Sequence, residues 1–357
     1  MKHCLRGFAP REQVKQRYTT GVVSRLPLVP ALAALGVLLI AATLLAWMFG
    51  DSVTPVPVLL RVAGHQLLPG LVRGGDETTT AILIDLRLPR ILLAAFVGAG
   101  LAVAGTVLQG LTQNPLADPY TVGVSSGASA GASLAVVLGL GGLGETGLAF
   151  AASLLTMGLV FAVSRIGGRV HTAGFLLAGI VVGSFLWSVT TLLLSLAGSD
   201  QAQILRFLMG RFGEAQWWQV GLLAPLTLAG IGLFTLAGQG LDAFAFGEET
   251  ARSVGVETER FKAGVLAASA LLTAASVAFA GIIGFVGLIA PHIARALVGS
   301  PHRGLIAASA LTGAILCVLS DLLARTVLPG QDLPVGVVTA LLGAPFFAAL
   351  LRRQIGA

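Results

Sequence analysis

Charge is what this 357-residue chain has least of: Asp, Glu, Lys and Arg together make up 11% of it, against about 25% in an ordinary soluble domain. A water-soluble globular protein is thereby excluded. Lysine occurs only at Lys2, Lys15 and Lys262, so arginine carries the net charge of +6. Cysteine occurs twice, as Cys4 in a basic tail and Cys317 in an apolar run, which argues against a disulfide framework or a paired-cysteine metal site. The five histidines (His3, His65, His171, His292, His302) are scattered. No Gly-x-x-x-x-Gly-Lys-[Ser/Thr] stretch exists to cradle nucleotide phosphates, and His-Glu-x-x-His, Cys-x-x-Cys and a nucleophile elbow are also missing. Catalysis has no candidate constellation, and if ATP drives anything here, another chain binds it.

What the chain does have is apolar length. Hydrophobic residues make up 55% of it and the mean hydropathy is +0.90, a surface that only lipid can cover. Its 47 glycines, about 13% against a usual ~7%, suit transmembrane helices whose backbones meet across small residues. Barrel strands would alternate apolar and polar over about ten residues; the runs here are continuous and twice as long. The pI near 10.1 fits arginines holding loops on one side of a membrane better than nucleic-acid binding.

Runs long enough to cross about 30 Å of hydrocarbon lie at 28–49, 91–111, 122–143, 146–164, 174–197, 219–237, 263–280, 282–298, 304–324 and 333–351. The expectation is an all-α polytopic membrane protein of about ten helices, with a basic tail at 1–27 and a membrane domain at 28–357. An even number of spans puts both termini on one side. With that side cytoplasmic, the inner segments hold about twice the Lys and Arg of the outer ones, as the positive-inside bias requires.

Three polar segments interrupt the lipid pattern: 50–90 and 198–218 outside, and 238–262 inside. The second carries Ile204, Leu205, Leu208 and Met209 before Trp217 and Trp218, suiting a short interfacial helix. The third mixes Glu248, Glu249, Arg252, Glu257, Glu259, Arg260 and Lys262 with Phe244, Phe246 and Val254, which reads as a short amphipathic helix in water or as a solvated connector. Ionisable groups inside the spans are scarce, whereas an ion-coupled carrier keeps them at mid-membrane. Asp321 lies four residues before Arg325, so it is either an i,i+4 partner or a proton relay.

Several clusters sit at span ends in one order: Arg87-Leu88-Pro89-Arg90; Gln109-Gly110 with Asn114-Pro115-Leu116-Ala117-Asp118-Pro119; Gly123-Val124-Ser125-Ser126-Gly127-Ala128; Leu177-Ala178-Gly179; Gly281 to Leu288 through Pro291-His292; and Leu333 to Ala340 through Gly343-Ala344-Pro345. Pro89 reads as a helix start, with the two arginines three apart on one helix face. Over roughly 28–353 the set resembles the FecCD family, permease subunits of ABC importers for iron chelates (siderophores, haem) and cobalamin.

That resemblance implies the type II importer permease architecture, working as a homodimer in the bacterial inner membrane with both termini cytoplasmic. Two separate ATPase subunits would bind ATP and Mg below, and a substrate-binding protein would dock above. The chain itself would hold no cofactor or metal and catalyse no reaction. By matching position, Arg87, Arg90 and Arg325 would receive glutamates of the binding protein, while Asn114, Leu116, Thr172 and Ala173 would form inner gates. Ala173 stands where the cobalamin permease has a polar residue. Gly247, Glu248, Glu249, Arg252, Ser253 and Gly255 would belong to the helix that couples to the ATPase. Ferric siderophore leads haem and cobalamin as the implied cargo. Pro291-His292 lies in a motif shared regardless of cargo, which argues against haem ligation. A secondary transporter driven by an ion gradient is the competing class, and a membrane-embedded enzyme a third.

Overall fold

Alanine and leucine favour helix, and a backbone in lipid must satisfy its own hydrogen bonds, so the apolar runs become helices. The computed structural model describes residues 26–50, 53–67, 76–166, 169–170, 172–328 and 330–355; the tail expected at 1–27 falls almost wholly outside them. The helices are Leu28–Met48 (α1), Val56–Leu67 (α2), Glu77–Ala81 (α3), Leu88–Thr112 (α4), Val124–Val137 (α5), Leu143–Val163 (α6), Thr172–Leu196 (α7), Gln201–Met209 (α8), Trp217–Phe244 (α9), Glu248–Ser253 (α10), Thr258–Ala280 (α11), Val286–Val298 (α12), His302–Thr326 (α13) and Val335–Ile355 (α14). Among the described residues the only strand pairing is Arg165–Ile166 with Arg169–Val170, antiparallel.

Ten of these helices answer the ten expected spans: α1, α4, α5, α6, α7, α9, α11, α12, α13 and α14. Seven helical stretches are long and apolar enough to cross a membrane by length and composition; α5, α12 and the apolar part of α14 are shorter. At 1.5 Å per residue, α5 and α12 reach only about 20 Å, so they begin or end inside the layer that the long helices define. α4 is the axis of the fold, packed by α9, α11, α12 and α13. Its apolar stretch is 83% buried, whereas that of α1 is 17% buried.

Glycine makes the axis possible. A Cβ on Gly98 of α4 would come within 2.2 Å of the Gly313 carbonyl oxygen of α13, and one on Gly105 within 2.0 Å of the Gly287 carbonyl oxygen of α12. Only hydrogen fits in either place.

Two sequence expectations change. Pro89 does not start a helix: α3 runs through a π turn, Ile82–Arg87, straight into α4, with Leu88 N–H bonding the Leu83 carbonyl. Proline has no N–H for Asp85 and its ring crowds that carbonyl, which the wider i→i−5 turn accommodates. Segment 238–262 is not one helix either. Its first residues extend α9, its last extend α11, and only α10 is free-standing. The interfacial helix expected in 198–218 is α8, with Ile204 buried and Leu205 and Met209 exposed.

The bundle has two faces. On the upper one, the end of α1 meets the starts of α4 and α14 and the end of α13; the lower one gathers the ends of α4 and α9, the start of α13, and α10. Both ends of the described chain lie low: Leu26 N–H bonds the Leu297 carbonyl at the end of α12, and α14 runs down from Val335, whose N–H bonds Gly210 on the upper side.

Candidate functional site

At the upper face, Asp321 of α13 is 1% exposed and holds two arginines. Arg90 Nε lies 2.9 Å from its Oδ1, and Arg325 Nε lies 3.5 Å from its Oδ2. A charge this deep is tolerated only when paired. The i,i+4 pair legible in the sequence therefore forms, but the closer arginine comes from α4, 231 positions away. Arg90 also reaches Asp332, Nη1 to Oδ2 2.7 Å, and Asp332 is half exposed.

The three arginines assigned to binding-protein docking are thus not equivalent. Arg87 is 7% exposed and donates from Nη1 to the Trp47 carbonyl at 3.1 Å and the Thr54 hydroxyl at 3.0 Å. Arg325, 5% exposed, donates to the Ala46 carbonyl. Both fasten α1 to the bundle through otherwise unpaired carbonyls at its C-terminal end. Arg90, with Asp332, is the member of this set that reaches the surface. Arg87 and Arg90 do not share a face in use, because each follows its own partners.

At the lower face α10 is bracketed by Gly247 (φ +109°) and Gly255 (φ +88°), left-handed positions that glycine takes without strain. Lys262 of α11 is buried between Glu248 Oε2 at 3.1 Å and Glu259 Oε1 at 2.8 Å. Arg252 Nη2 lies 3.4 Å from Glu248 and 3.2 Å from the Thr258 hydroxyl. These bonds hold one side of α10 against α11. The other side is presented: Glu249 and Ser253 are exposed, and so are the flanking apolar side chains Phe246 (79%) and Val254 (65%). Large apolar groups projecting into water beside a rigid short helix are the form of a docking knob.

Between α4 and α5 runs the loop expected to gate. Gln113 closes α4 in the left-handed region, φ +53°. The Asn114 side chain accepts from Leu116 N–H at 2.9 Å, and Leu116 is exposed. Asp118 caps the short turn Pro119–Val122 by accepting from Tyr120 N–H at 3.1 Å. Burial raises its carboxyl to about 6, against the lowering effect of that N–H bond. Thr172 opens α7 and Ala173 follows it; their side chains lie outside the described residues.

Beyond this loop the structure adds what the sequence reading missed. A groove of about 560 Å³ between α5 and α7 is lined by Tyr120, Gly123, Ser125, Ser126, Gly179, Gly183, Ser184, Trp187 and Ser188. Along α7, Ser184, Ser188, Thr191 and Ser195 are all exposed and fall at spacings of four, three and four, one stripe of a 3.6-residue helix. Each hydroxyl donates to a carbonyl of its own helix and so retains acceptor capacity, which Ser184 and Ser188 offer to the groove. The 4-3-4 spacing was readable in the sequence; which way it faces was not. No group of three or more His, Cys, Asp or Glu gathers among the described residues, and His292 packs edge-on against Phe346 at 6.0 Å.

A helical bundle with seven stretches long and apolar enough to cross a membrane, a presented short helix below and, among the described residues, no gathered His, Cys, Asp or Glu group is an arrangement that comparison can test. The FecCD transport family matches residues 37–353. The chain belongs to that family. Among similar proteins is an uncharacterized ABC transporter permease protein of Bacillus subtilis, YvrB, 42% identical over 85% of this chain and 88% of its own. The cobalamin import system permease protein BtuC of Halobacterium salinarum is 38% identical over 90% of this chain and 95% of its own. A solved inward-facing structure of a metal-chelate type ABC transporter superposes with a TM-score of 0.80 at 30% identity, covering 90% of this chain and 98% of that one. As a FecCD member the chain has the type II importer permease fold and is a non-catalytic permease subunit; ATP hydrolysis belongs to a separate chain.

Proposed function

We propose that this FecCD permease forms one half of a homodimeric inner-membrane importer of a metal chelate, driven by two cytoplasmic ATPase subunits and loaded by a substrate-binding protein. The observation that carries the reading is α10, held on one side by Lys262 and Arg252 and offering Phe246 and Val254 on the other. A nucleotide-binding partner that moves needs such a rigid handle, and this chain has no phosphate-binding loop of its own.

The hydroxyl stripe of α7 supports a second copy. Left facing lipid it would be a polar seam in hydrocarbon; facing its symmetry mate it becomes the wall of a hydrated path on a two-fold axis. Asn114 and Leu116, on the loop that leads to Tyr120 of the groove, would act as the gate, together with Thr172 and Ala173 at the start of α7. On this reading the lower face is cytoplasmic. Docking of the binding protein falls on Arg90 and Asp332, while Arg87 and Arg325 fix the rim on which it lands.

Ferric siderophore is the first cargo to test, followed by haem and cobalamin. A wall of hydroxyls with few charges discriminates weakly among them, so selectivity belongs to the binding protein. Proteoliposomes containing this chain, its neighbouring ATPase and its binding protein should accumulate a chelate only with ATP. Uptake by the chain alone under a pH or sodium gradient would replace this reading with a secondary transporter.

A further inference from the structure

The loop between α4 and α5 is fastened at both ends to elements that belong to opposite faces. At its start, Gln113 Nε2 donates to the carbonyl of Phe244, the last residue of α9 before α10. That end of α9 is itself fixed. The Phe244 ring stacks on Phe261 of α11, centroids 5.4 Å apart and planes 13° from parallel. Two residues earlier, Asp242 Oδ1 accepts from His302 N–H at 3.0 Å and lies 2.6 Å from His302 Nδ1. A displacement of α10 therefore reaches Gln113 through few soft torsions.

At the far end of the loop, the Tyr120 hydroxyl donates to the Ile283 carbonyl at 3.0 Å and accepts from the Ile283 N–H at 3.1 Å. One oxygen thus satisfies both backbone groups of a residue in the non-helical link between α11 and α12, where neither has a helical partner. That link is bonded upward to α8: Ile282 N–H donates to the Phe207 carbonyl at 3.3 Å, and a Cβ on Gly281 would lie 2.2 Å from the same oxygen. Pro119 sits beside it, against Gly287 of α12.

We infer that residues 113–120 form a strap that transmits movement from the ATPase-facing helix α10 to the upper helix α8, with the Gln113 amide and the Tyr120 hydroxyl as its two fasteners in series. The inference rests on the importer reading above. Both are positioning residues: Gln113 carries motion into the gate at Asn114 and Leu116, and Tyr120 carries it on. Gln113 occupies the left-handed region although glycine would do so freely, so the amide rather than the turn accounts for glutamine there.

Order along the strap makes the test specific. Leu116 on the loop and Leu205 on α8 are exposed, as is Leu155 on α6, which serves as a fixed reference. In a Cys4→Ser background, with Cys317 buried, spin labels at Leu116→Cys or Leu205→Cys, each paired with Leu155→Cys, report distances in the assembled permease–ATPase complex. ATP, Mg and vanadate are the added probe. Both pairs should shift in the otherwise unsubstituted complex. Gln113→Gly, which keeps the turn and deletes the amide, should cut both shifts at least fivefold. Tyr120→Phe should leave the Leu116 shift intact and cut the Leu205 shift at least fivefold. The double variant should behave as Gln113→Gly alone, because a series link breaks once. A full Leu205 shift in Tyr120→Phe, or a full Leu116 shift in Gln113→Gly, overturns the strap. Where Gln113→Gly does not assemble, the isosteric Gln113→Glu, which lacks a donor when ionised, gives the same comparison. An unsubstituted complex that hydrolyses no ATP overturns the importer reading itself, a result seen before any substitution is made.

Discussion

Gly98 and Gly313 face each other across the α4–α13 crossing so closely that a Cβ on either would lie 2.2 to 2.3 Å from the other's carbonyl oxygen. The obstacles on both sides are backbone atoms and the Cβ atoms of Cys317 and Ala102, none of which moves with a rotamer, so neither helix can yield by changing one. Gly98→Ala should lower the melting temperature of the detergent-solubilised permease, through a loss of about 1 to 3 kcal/mol or more. Gly36, whose Cβ would meet nothing within 4 Å, is the control, and Gly36→Ala should leave it unchanged. Equal melting temperatures for the two variants would mean that the crossing is looser than described.

The two carboxylates of Arg90 should differ sharply in worth. Asp321→Asn strips the buried partner from two guanidinium groups and should cost about 3 to 5 kcal/mol. Asp332→Asn breaks an exposed pair worth about 0 to 1 kcal/mol. Thermal unfolding followed by tryptophan fluorescence separates them. By the docking proposal, Asp332→Arg should weaken binding-protein affinity in a salt-dependent way without changing the fold, which titration at two ionic strengths measures.

Phe246→Ser with Val254→Ser removes the exposed apolar side chains flanking α10 while leaving the Lys262, Glu248 and Glu259 cluster in place. The isolated permease should melt as before, and its affinity for the ATPase subunit should fall at least tenfold, read by co-purification or surface binding. Retained affinity would remove α10 from the coupling role.

Asp118 gives a pH signature. Its carboxyl is raised from the ordinary 3.8 to about 6 in the fold, so between those values the folded chain binds more protons than the unfolded one. Its contribution therefore favours the fold most below about 4 and declines as pH rises through 6. Asp118→Asn keeps an acceptor for Tyr120 N–H and should flatten that decline, raising stability at pH 7 relative to the parent. A parent protein equally stable at pH 4.5 and pH 7, once other carboxylates are matched by the variant, would contradict the assignment.

Ser184→Leu with Ser188→Leu fills the α5–α7 groove with hydrocarbon. Transport should fall at least tenfold while ATPase binding persists, as uptake assays alongside co-purification would record.

Composition and run length were enough to determine that this is a helical membrane protein that crosses the bilayer many times, because burying a backbone in lipid leaves the chain so few options. The motifs at span ends determined the family, and the spacing of Asp321 and Arg325 disclosed a pair. Tertiary structure decided the rest, since contacts between distant helices have no local signature. It showed that Arg90 rather than Arg325 is the closer partner of Asp321. It showed that Arg87 and Arg325 turn inward to carbonyls of α1, and that Ser184 and Ser188 of α7 line a groove. It also showed that Tyr120 meets Ile283, 163 residues away. Hydropathy records how much of a helix prefers lipid; which neighbour fills each face is settled only when the backbones close to within a glycine of one another.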